Sequence, residues 1–433
     1  MLTKRIICKL LNVKHTIIKD MIQKDDESIV FDVRPTKIKQ YRCGICGCKA
    51  TPYDSGRGPR LWRAGDWGAT KVFLRCEAPR VCCKHHGVIV AQTPWANHNS
   101  RFTRDFEELV AWLAMGNSKK AVSELMRITW NTVGAIINRV KEHLDIHPEK
   151  RLDNLERIGI DETSYRKGHK YMTVVVNHDT GKVIWLGKGH GKSVLTEFFT
   201  GLTPAQRNNI KLVSADGARW ISDCIKTYCP QAKRCVDPFH VVTWVMDALD
   251  NVRRDAWHDA KKKTANAPIP KRGRPAKNSP KRDTTAADIK GAKYALGKAP
   301  KNLTDNQRAK LEFIAKSDNR LYRAYLLKEE LRLVFQMKPD AAMETLNHWI
   351  KWAQHCRIPV FVELQRKIRR HYDAILASIT HGLSNARIEA INNKIKLSIR
   401  MAYGFRNMEN MFAMIMLRCS DIKVLLPWQK TTI

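Results

Sequence analysis

Five short apolar runs in the middle of the chain, three of them close to an aspartate, constrain the fold most. RIGIDETSY sets Ile158-Gly159-Ile160 directly before Asp161. YMTVVVNHDTGKVIWL holds two further runs around Asp179-Thr180-Gly181, a strong hairpin turn. A helix fits Lys192 to Leu202, NIKLVSADGARW closes a fourth run at Asp216-Gly217, and AKRCVDPFHVV supplies a fifth with Asp237 and His240 just past its start. The order β-β-β-α-β-α-β predicts an α/β fold with a mixed sheet and helices on its faces.

Aspartates at the ends of apolar strands are costly if buried unpaired. A divalent cation that prefers oxygen ligands, Mg2+ or Mn2+, removes that cost and leaves room for water and phosphate. Two such ions can activate a water or a 3′-hydroxyl and stabilise the leaving oxygen, which is the chemistry of DNA strand cleavage and joining. Taken singly, each aspartate is also an ordinary cap or turn residue.

The charge balance points the same way. Among 433 residues, Lys and Arg exceed Asp and Glu by 35, so a polyanionic partner is expected, nucleic acid ahead of an anionic membrane. No apolar run approaches the roughly 18 residues of a membrane span, and the basic N-terminus lacks the long apolar core and cleavage site of a secretory signal. The expected compartment is the cytoplasm. The length suits two to four domains. A short lead-in (1–40) precedes a Cys-, Gly- and Trp-rich module (41–97) and a helical segment (100–147). Alternating strands and helices (155–243) give way to amphipathic helices (244–376), inside which the basic, Pro- and Lys-rich stretch 261–302 reads as an exposed loop. A last helical segment (377–420) is rich in Ile and Met.

YRCGICGCKA and VCCKHHGV each carry two ligand-type residues with a two-residue gap, on turns that Gly44, Gly47 and Gly87 make possible. Cys43, Cys46, Cys83 and His86 suit a closed, tetrahedral and therefore structural zinc site, with Cys48, Cys76, Cys82 and His85 as nearby rivals. In the next segment, Phe106, Leu109, Val110 and Leu113, then Val122, Leu125 and Met126, then Val133, Ile136, Ile137 and Val140 form apolar faces at helical spacing. Ser118 and Thr129 are N-cap candidates, and the break at Arg127-Ile128-Thr129 resembles the turn of a helix-turn-helix. Trp130, Asn131, Thr132 and Asn138 would then lie near DNA, although the same pattern also makes a plain three-helix bundle.

THGLSNARIEAINNKIKLSIRMAYGFRN (Thr380 to Asn407) has five basic residues and one acid, Glu389. Glu389 is the third carboxylate expected at the metal. Lys394, Lys396 and Arg400 would hold the DNA backbone, and Lys396, two helical turns past Glu389, shares its face.

With these pieces in order, the chain resembles a bacterial insertion-sequence transposase of the ISL3 family. The resemblance rests on GIDETSY, SADGARW, VDPFHVV, KNLTDNQRAKLEFI, RIPVFVELQRKIRRHYDAIL, GLSNARIEAINNKIKLSIRMAYGFRN, the PWA that ends the Cys module, and the helix-turn-helix, from about residue 40 to 420. It implies an RNase H-like catalytic core whose DDE triad is Asp161, Asp216 and Glu389, interrupted by a helical insertion between the fifth strand and the Glu helix. Asp237 with His240 resembles a (C/D)-x2-H signature; Asp237 rivals Asp216 for the second position, and His240 either supports the site, contacts DNA or is a core histidine. Arg272-Gly273-Arg274-Pro275 resembles an AT-hook core, a minor-groove peptide, inside what is otherwise a solvated basic loop. The implied activity is recognition of terminal inverted repeats by the zinc module and helix-turn-helix, then metal-dependent cutting and joining by a dimer. A DNA-binding regulator with an inactive core and a nuclease without joining activity are the competing classes.

Overall fold

The computed structural model describes residues 2–265, 284–383 and 386–432. It comprises two compact units: Met1–Arg151 with Tyr165–Lys167 and Ile391–Ile433, and Leu152–Ser164 with Gly168–Ala390.

The first unit opens with helix α1 (Leu2–Leu10) and strands β1 (Thr16–Gln23) and β2 (Ile29–Pro35). Strands β3 (Thr51–Asp54), β4 (Pro59–Arg63), β5 (Val72–Glu77), β6 (Arg80–Cys83) and β7 (Gly87–Val90) follow. They form a sheet in the order β1-β2-β5-β4 and a small antiparallel sheet β3-β6-β7. The expected separate lead-in over 1–40 is therefore not separate, because β2 pairs in parallel with β5 and both bury Phe31, Val33, Val72 and Leu74 in one core.

Helices α2 (Arg104–Gly116), α3 (Lys119–Leu125) and α4 (Trp130–Leu144) each start on a hydroxyl cap: Thr103, Ser118 and Thr129 accept from the backbone N–H of Phe106, Ala121 and Thr132. This satisfies donors that a helix start leaves open. Arg127 makes the turn before α4 with φ +53°. Most residues of the expected inward faces are buried, but Leu109 and Leu113 are half-buried and Leu125, in the last turn of α3, is 66% exposed.

The second unit is built on strands β8 (Arg157–Arg166), β9 (Lys170–Asn177), β10 (Lys182–Lys188), β11 (Leu212–Ala215) and β12 (Lys233–Val236). Their order is β10-β9-β8-β11-β12; β9 and β10 are antiparallel, and β11 runs parallel to both β8 and β12. Helices α5 (Lys192–Gly201), α6 (Pro204–Asn209) and α7 (Arg219–Tyr228) connect the strands. Ile158, Ile160, Val213 and Ala215 pack on Leu195, Phe198, Phe199 and Ile221. Strand side chains alternate, so Gly159 and Asp161 face the other way.

After β12 comes a long helical stretch: α8 (Pro238–Ala265), α9 (Thr285–Gly291), α10 (Lys293–Gly297), α11 (Asp305–Ser317), α12 (Asn319–Val334), α13 (Pro339–His355), α14 (Pro359–Arg370) and α15 (Tyr372–His381). Its core includes Val245, Leu249, Leu327, Trp349 and Phe361, and the Trp349 indole donates to the Leu327 carbonyl at 2.7 Å. The loop expected over 261–302 is partly helical. Ile289, Ala292, Ala295 and Leu296 recur at helical spacing and are buried.

Helix α16 (Ala386–Met401) and helix α17 (Met408–Cys419) complete the chain. In the first unit, Ala413, Met414 and Leu417 of α17 close the core under Val110, Val133 and Ile137. The three-helix segment thus takes a fourth helix from the far end of the sequence.

Candidate active site and metal centres

Strand pairing places three aspartates on one level. Ser214 is opposite Gly159, and Ala215 is opposite Val236. Continuing the same parallel register puts Asp216 opposite both Asp161 and Asp237, with neighbouring strands spaced about 4.8 Å apart. Asp161 differs from the expected strand-end position: β8 runs on to Arg166, while its pairing with β11 stops at Gly159. The strand therefore continues beside β9, and Asp161 stands where one neighbour has ended.

Each aspartate is shaped by the backbone around it. Asp161 accepts from the Glu162 N–H at 2.8 Å, Asp216 from the Ala218 N–H at 2.9 Å and Asp237 from the Phe239 N–H at 3.2 Å. Asp237 so caps α8 and is buried, whereas Asp161 and Asp216 are half-buried. His240 Nε2 stands 4.0 Å from Asp237 Oδ2. Burial, above all, raises the Asp161 pKa; the Asp216 and Asp237 carboxylates add to it, and His240 opposes it. Burial also raises that of Glu162, which Asp216 and Asp161 push further and the Gly191 N–H restrains. Like charges crowded at half-buried positions favour a cation among them. The donors are hard oxygens, which fits Mg2+ or Mn2+.

The helix that carries Glu389 approaches this sheet closely. A Cβ on Gly159 would overlap the side chain of Ile388, which is fully buried. Gly159 and Asp161 share a face of β8, so α16 begins on the side of the sheet that Asp161 faces. Arg387 strengthens the seat by donating to the His178 carbonyl, and the His178 ring meets the Ser214 hydroxyl at 2.6 Å. Burial, helped by Arg387, depresses the His178 pKa to about 4. Glu389 itself is exposed. Among the described residues, the acids do not form a group with ligand atoms all within 4.8 Å; the Cys43, Cys46, Cys83 and His86 quartet does.

That quartet joins two turns. Cys43 and Cys46 lie on a turn closed by Cys43 N–H to Cys48 carbonyl (2.8 Å) and Gly47 N–H to Cys43 carbonyl (2.9 Å). Cys83 ends β6 and His86 precedes β7. Cys43 Sγ lies 3.6 Å from His86 Nδ1, Cys46 Sγ 3.7 Å from Cys83 Sγ, and Cys83 Sγ 3.7 Å from His86 Nδ1. A zinc tetrahedron with bonds of about 2.3 Å has edges of about 3.8 Å, so soft donors at these separations fit zinc. Of the rivals, Cys76 is buried in the neighbouring core and Cys48, Cys82 and His85 are exposed.

The residues expected near DNA divide. Trp130 and Asn131 are exposed at the start of α4, with Thr132 half-buried beside them. Asn138 is not turned outward: its amide donates to Asn410 of α17 at 2.5 Å. Lys394, Lys396 and Arg400 are exposed on α16. Arg272 and Arg274 lie outside the described residues.

Residue types alone gave no cue to two further features. Arg234 of β12 donates to the carbonyls of Asp216 and Ala218, holding the turn that carries Asp216. Beside it is a cleft of about 1030 Å3 whose walls include Arg219, Lys226, Lys233, Arg370 and His371. Burial, joined by the surrounding Arg234, Arg370, Lys367 and Arg219 charges, holds the His371 pKa near 4.

Comparison with known proteins gives three family matches: a transposase family of the DDE type and ISL3 group over residues 158–415, the helix-turn-helix domain of transposase family ISL3 over 91–140, and the zinc-finger of transposases IS204, IS1001, IS1096 and IS1165 over 39–86. The transposase of insertion sequence element IS1557 from Mycobacterium tuberculosis is 49% identical over 434 aligned residues, covering 98% of this chain and 97% of the relative. The transposase of element IS1001 from Bordetella parapertussis is 27% identical over 348 residues, covering 80% of each chain. With an acidic sheet, a Cys3His zinc site and three capped helices matching these descriptions in order, the chain belongs to the ISL3 family of DDE transposases.

Proposed function

We propose that this DNA-binding transposase cuts the 3′ ends of its own insertion sequence and joins them to target DNA, using Asp161, Asp216 and Glu389 as the acids that hold the divalent metal. The observation that carries this reading is the common level of Asp161 and Asp216 on adjacent parallel strands, with the Glu389 helix seated on Gly159 of the same face. The strand order and the β-β-β-α-β-α-β connectivity support an RNase H-like core, and the helices from α8 to α15 support a helical insertion within it.

A divalent metal held by these acids would supply activation of the attacking water or 3′-hydroxyl and neutralisation of charge on the leaving oxygen. The chain's part is positional. Arg234 fixes the Asp216 turn, Asp237 anchors α8 so that His240 faces the acids, and Arg387 and Ile388 fix the start of the Glu389 helix. Lys394, Lys396 and Arg400 are proposed to bind phosphate, with Trp130, Asn131 and Thr132 toward the major groove of the terminal repeats and Arg272 and Arg274 in a minor groove. Two ends must be held together for joining, so a homodimer is the expected active complex.

The test is strand cleavage and joining on labelled end DNA with Mg2+, comparing wild type with Asp161→Asn, Asp216→Asn, Asp237→Asn and Glu389→Gln, each checked for end binding. Loss of chemistry with binding kept at Asp161, Asp216 and Glu389, but not Asp237, is expected. A dead Asp237→Asn beside an active Asp216→Asn would move the second acid to Asp237. Cutting without joining would make the protein a nuclease, and binding without cutting under any divalent ion would make it a regulator.

A further inference from the structure

A pocket of about 550 Å3 in the first unit lies at the start of α4, where the Ala402–Arg406 turn meets α3. Its size falls in the range of roughly 300–1,000 Å3 that takes a small organic group. Four aromatic rings line it: Trp130, Tyr165, Tyr403 and Phe405. Four cations do as well, Lys119, Lys120, Arg166 and Arg406, and no acid is among the described lining residues.

Two details set this pocket apart from ordinary surface. The Tyr403 ring is 90% exposed on a residue held at φ +52°, beside Gly404 at φ +87°. A large aromatic presented to water on a left-handed turn gains nothing from packing, which points to a surface kept for a ligand. Lys119, in contrast, is 3% exposed. Its Nζ lies 4.4 Å from the centre of the Trp130 ring and 4.9 Å from that of Phe405, and burial lowers its pKa. A glycine at 134 in the middle of α4 leaves room first for the Asn410 amide, which a Cβ would approach to 2.6 Å, and then for this Nζ at 3.3 Å. A buried cation held by aromatic faces is a favourable place for an anion. Stacking surfaces interleaved with cations are the chemistry that takes single-stranded nucleic acid.

We propose that this pocket holds one unpaired nucleotide of the bound end DNA, its base on Tyr403 and its phosphate drawn to the Lys119, Lys120, Arg166 and Arg406 charges; the proposal rests on end binding through the helix-turn-helix. The occupant is a nucleotide leaving its duplex, because the exposed face of Trp130 and the side chain of Asn131 stand at the start of the helix expected in the major groove.

The experiment uses the full, zinc-loaded chain and duplexes from the two ends of its element. One base at a time is left unpaired opposite an abasic site, and affinity is read by fluorescence anisotropy. Freeing a base in advance removes the cost of opening the pair, so at one or two positions the opened duplex is expected to bind about fivefold tighter or more. Tyr403→Ala should abolish that gain while the chain keeps its zinc and its circular dichroism, and Tyr403→Phe should retain it. If no opened duplex binds tighter, or the gain survives in Tyr403→Ala, the pocket proposal is overturned while end binding stands. If wild type binds no end duplex at all, the end-binding reading falls and this one with it.

Discussion

The zinc module and the acidic sheet each gather metal ligands, and they do so over very different lengths of chain. Cys43 and Cys46, and Cys83 and His86, come as pairs on turns whose backbone bonds close within a few residues, and their four ligand atoms already stand within 4.8 Å. Asp161, Asp216 and Glu389, the acids proposed to hold the catalytic metal, are separated by 55 and 173 residues, and only strand register and the docking of the Glu389 helix bring their segments onto one face of the sheet. The first arrangement is local and ready for its ion. The second is a long-range construction in which two acids are set by the sheet, while Glu389 stays exposed on a helix. The difference suits their tasks, since a structural ion is closed off and a catalytic one keeps positions open.

The largest effect should come from the local site. Removing zinc with a chelator, or substituting Cys43→Ser, should unfold the module, because structural zinc contributes on the order of 10 kcal/mol to such folds. Zinc content and circular dichroism would report it, with end binding lost as well. A folded, DNA-binding protein without zinc would break the comparison from that side.

The acids come next. Asp161→Asn or Glu389→Gln should lower cleavage by roughly a thousandfold or more without unfolding the protein, because the proposed mechanism has them hold the metal as one unit. Titration of stability with Mg2+ sharpens this: wild type should gain melting temperature with the ion, and Asp161→Asn should not.

His178 sets a pH limit on the long-range construction. Its folded pKa, about 4, lies below its ordinary value of 6.5. Between these values the unfolded chain takes up a proton that the folded chain refuses, so stability is full above about 6.5 and falls as pH drops toward 4. The loss should approach about 3 kcal/mol at pH 4 and level off below it. Urea unfolding against pH should show this slope, and His178→Gln should flatten it.

Gly159 is the most direct probe of helix docking. Gly159→Ala should cost roughly 1–3 kcal/mol, since the added methyl meets Ile388 and the His178 ring, and should reduce cleavage more than end binding. Pairing it with Ile388→Ala should restore part of both. Smallest of all, Thr129→Ala should remove about 1 kcal/mol by uncapping α4. Denaturant midpoints would measure either loss.

Much of this protein was legible before any tertiary contact was known. Ligand pairs at two-residue gaps, hydroxyl caps before apolar helical faces, and apolar runs meeting aspartates are local patterns, and each found its expected element. The segment 285–297 was misread because its small apolar face is hidden among lysines, and burial of Ile289 and Leu296 overrides a polar composition. Asn138 was misplaced because the helix that claims its amide, α17, lies 272 residues away.

By itself, then, the sequence determined most of the elements and the zinc quartet, because turns, caps and strand alternation depend on neighbours in the chain. Tertiary structure alone decided that Asp161, Asp216 and Asp237 share one level, that Gly159 admits the Glu389 helix, that Arg234 holds the Asp216 turn, and that Tyr403 stands beside Lys119. Those are matters of register and close approach between segments far apart in sequence, and no local preference encodes them.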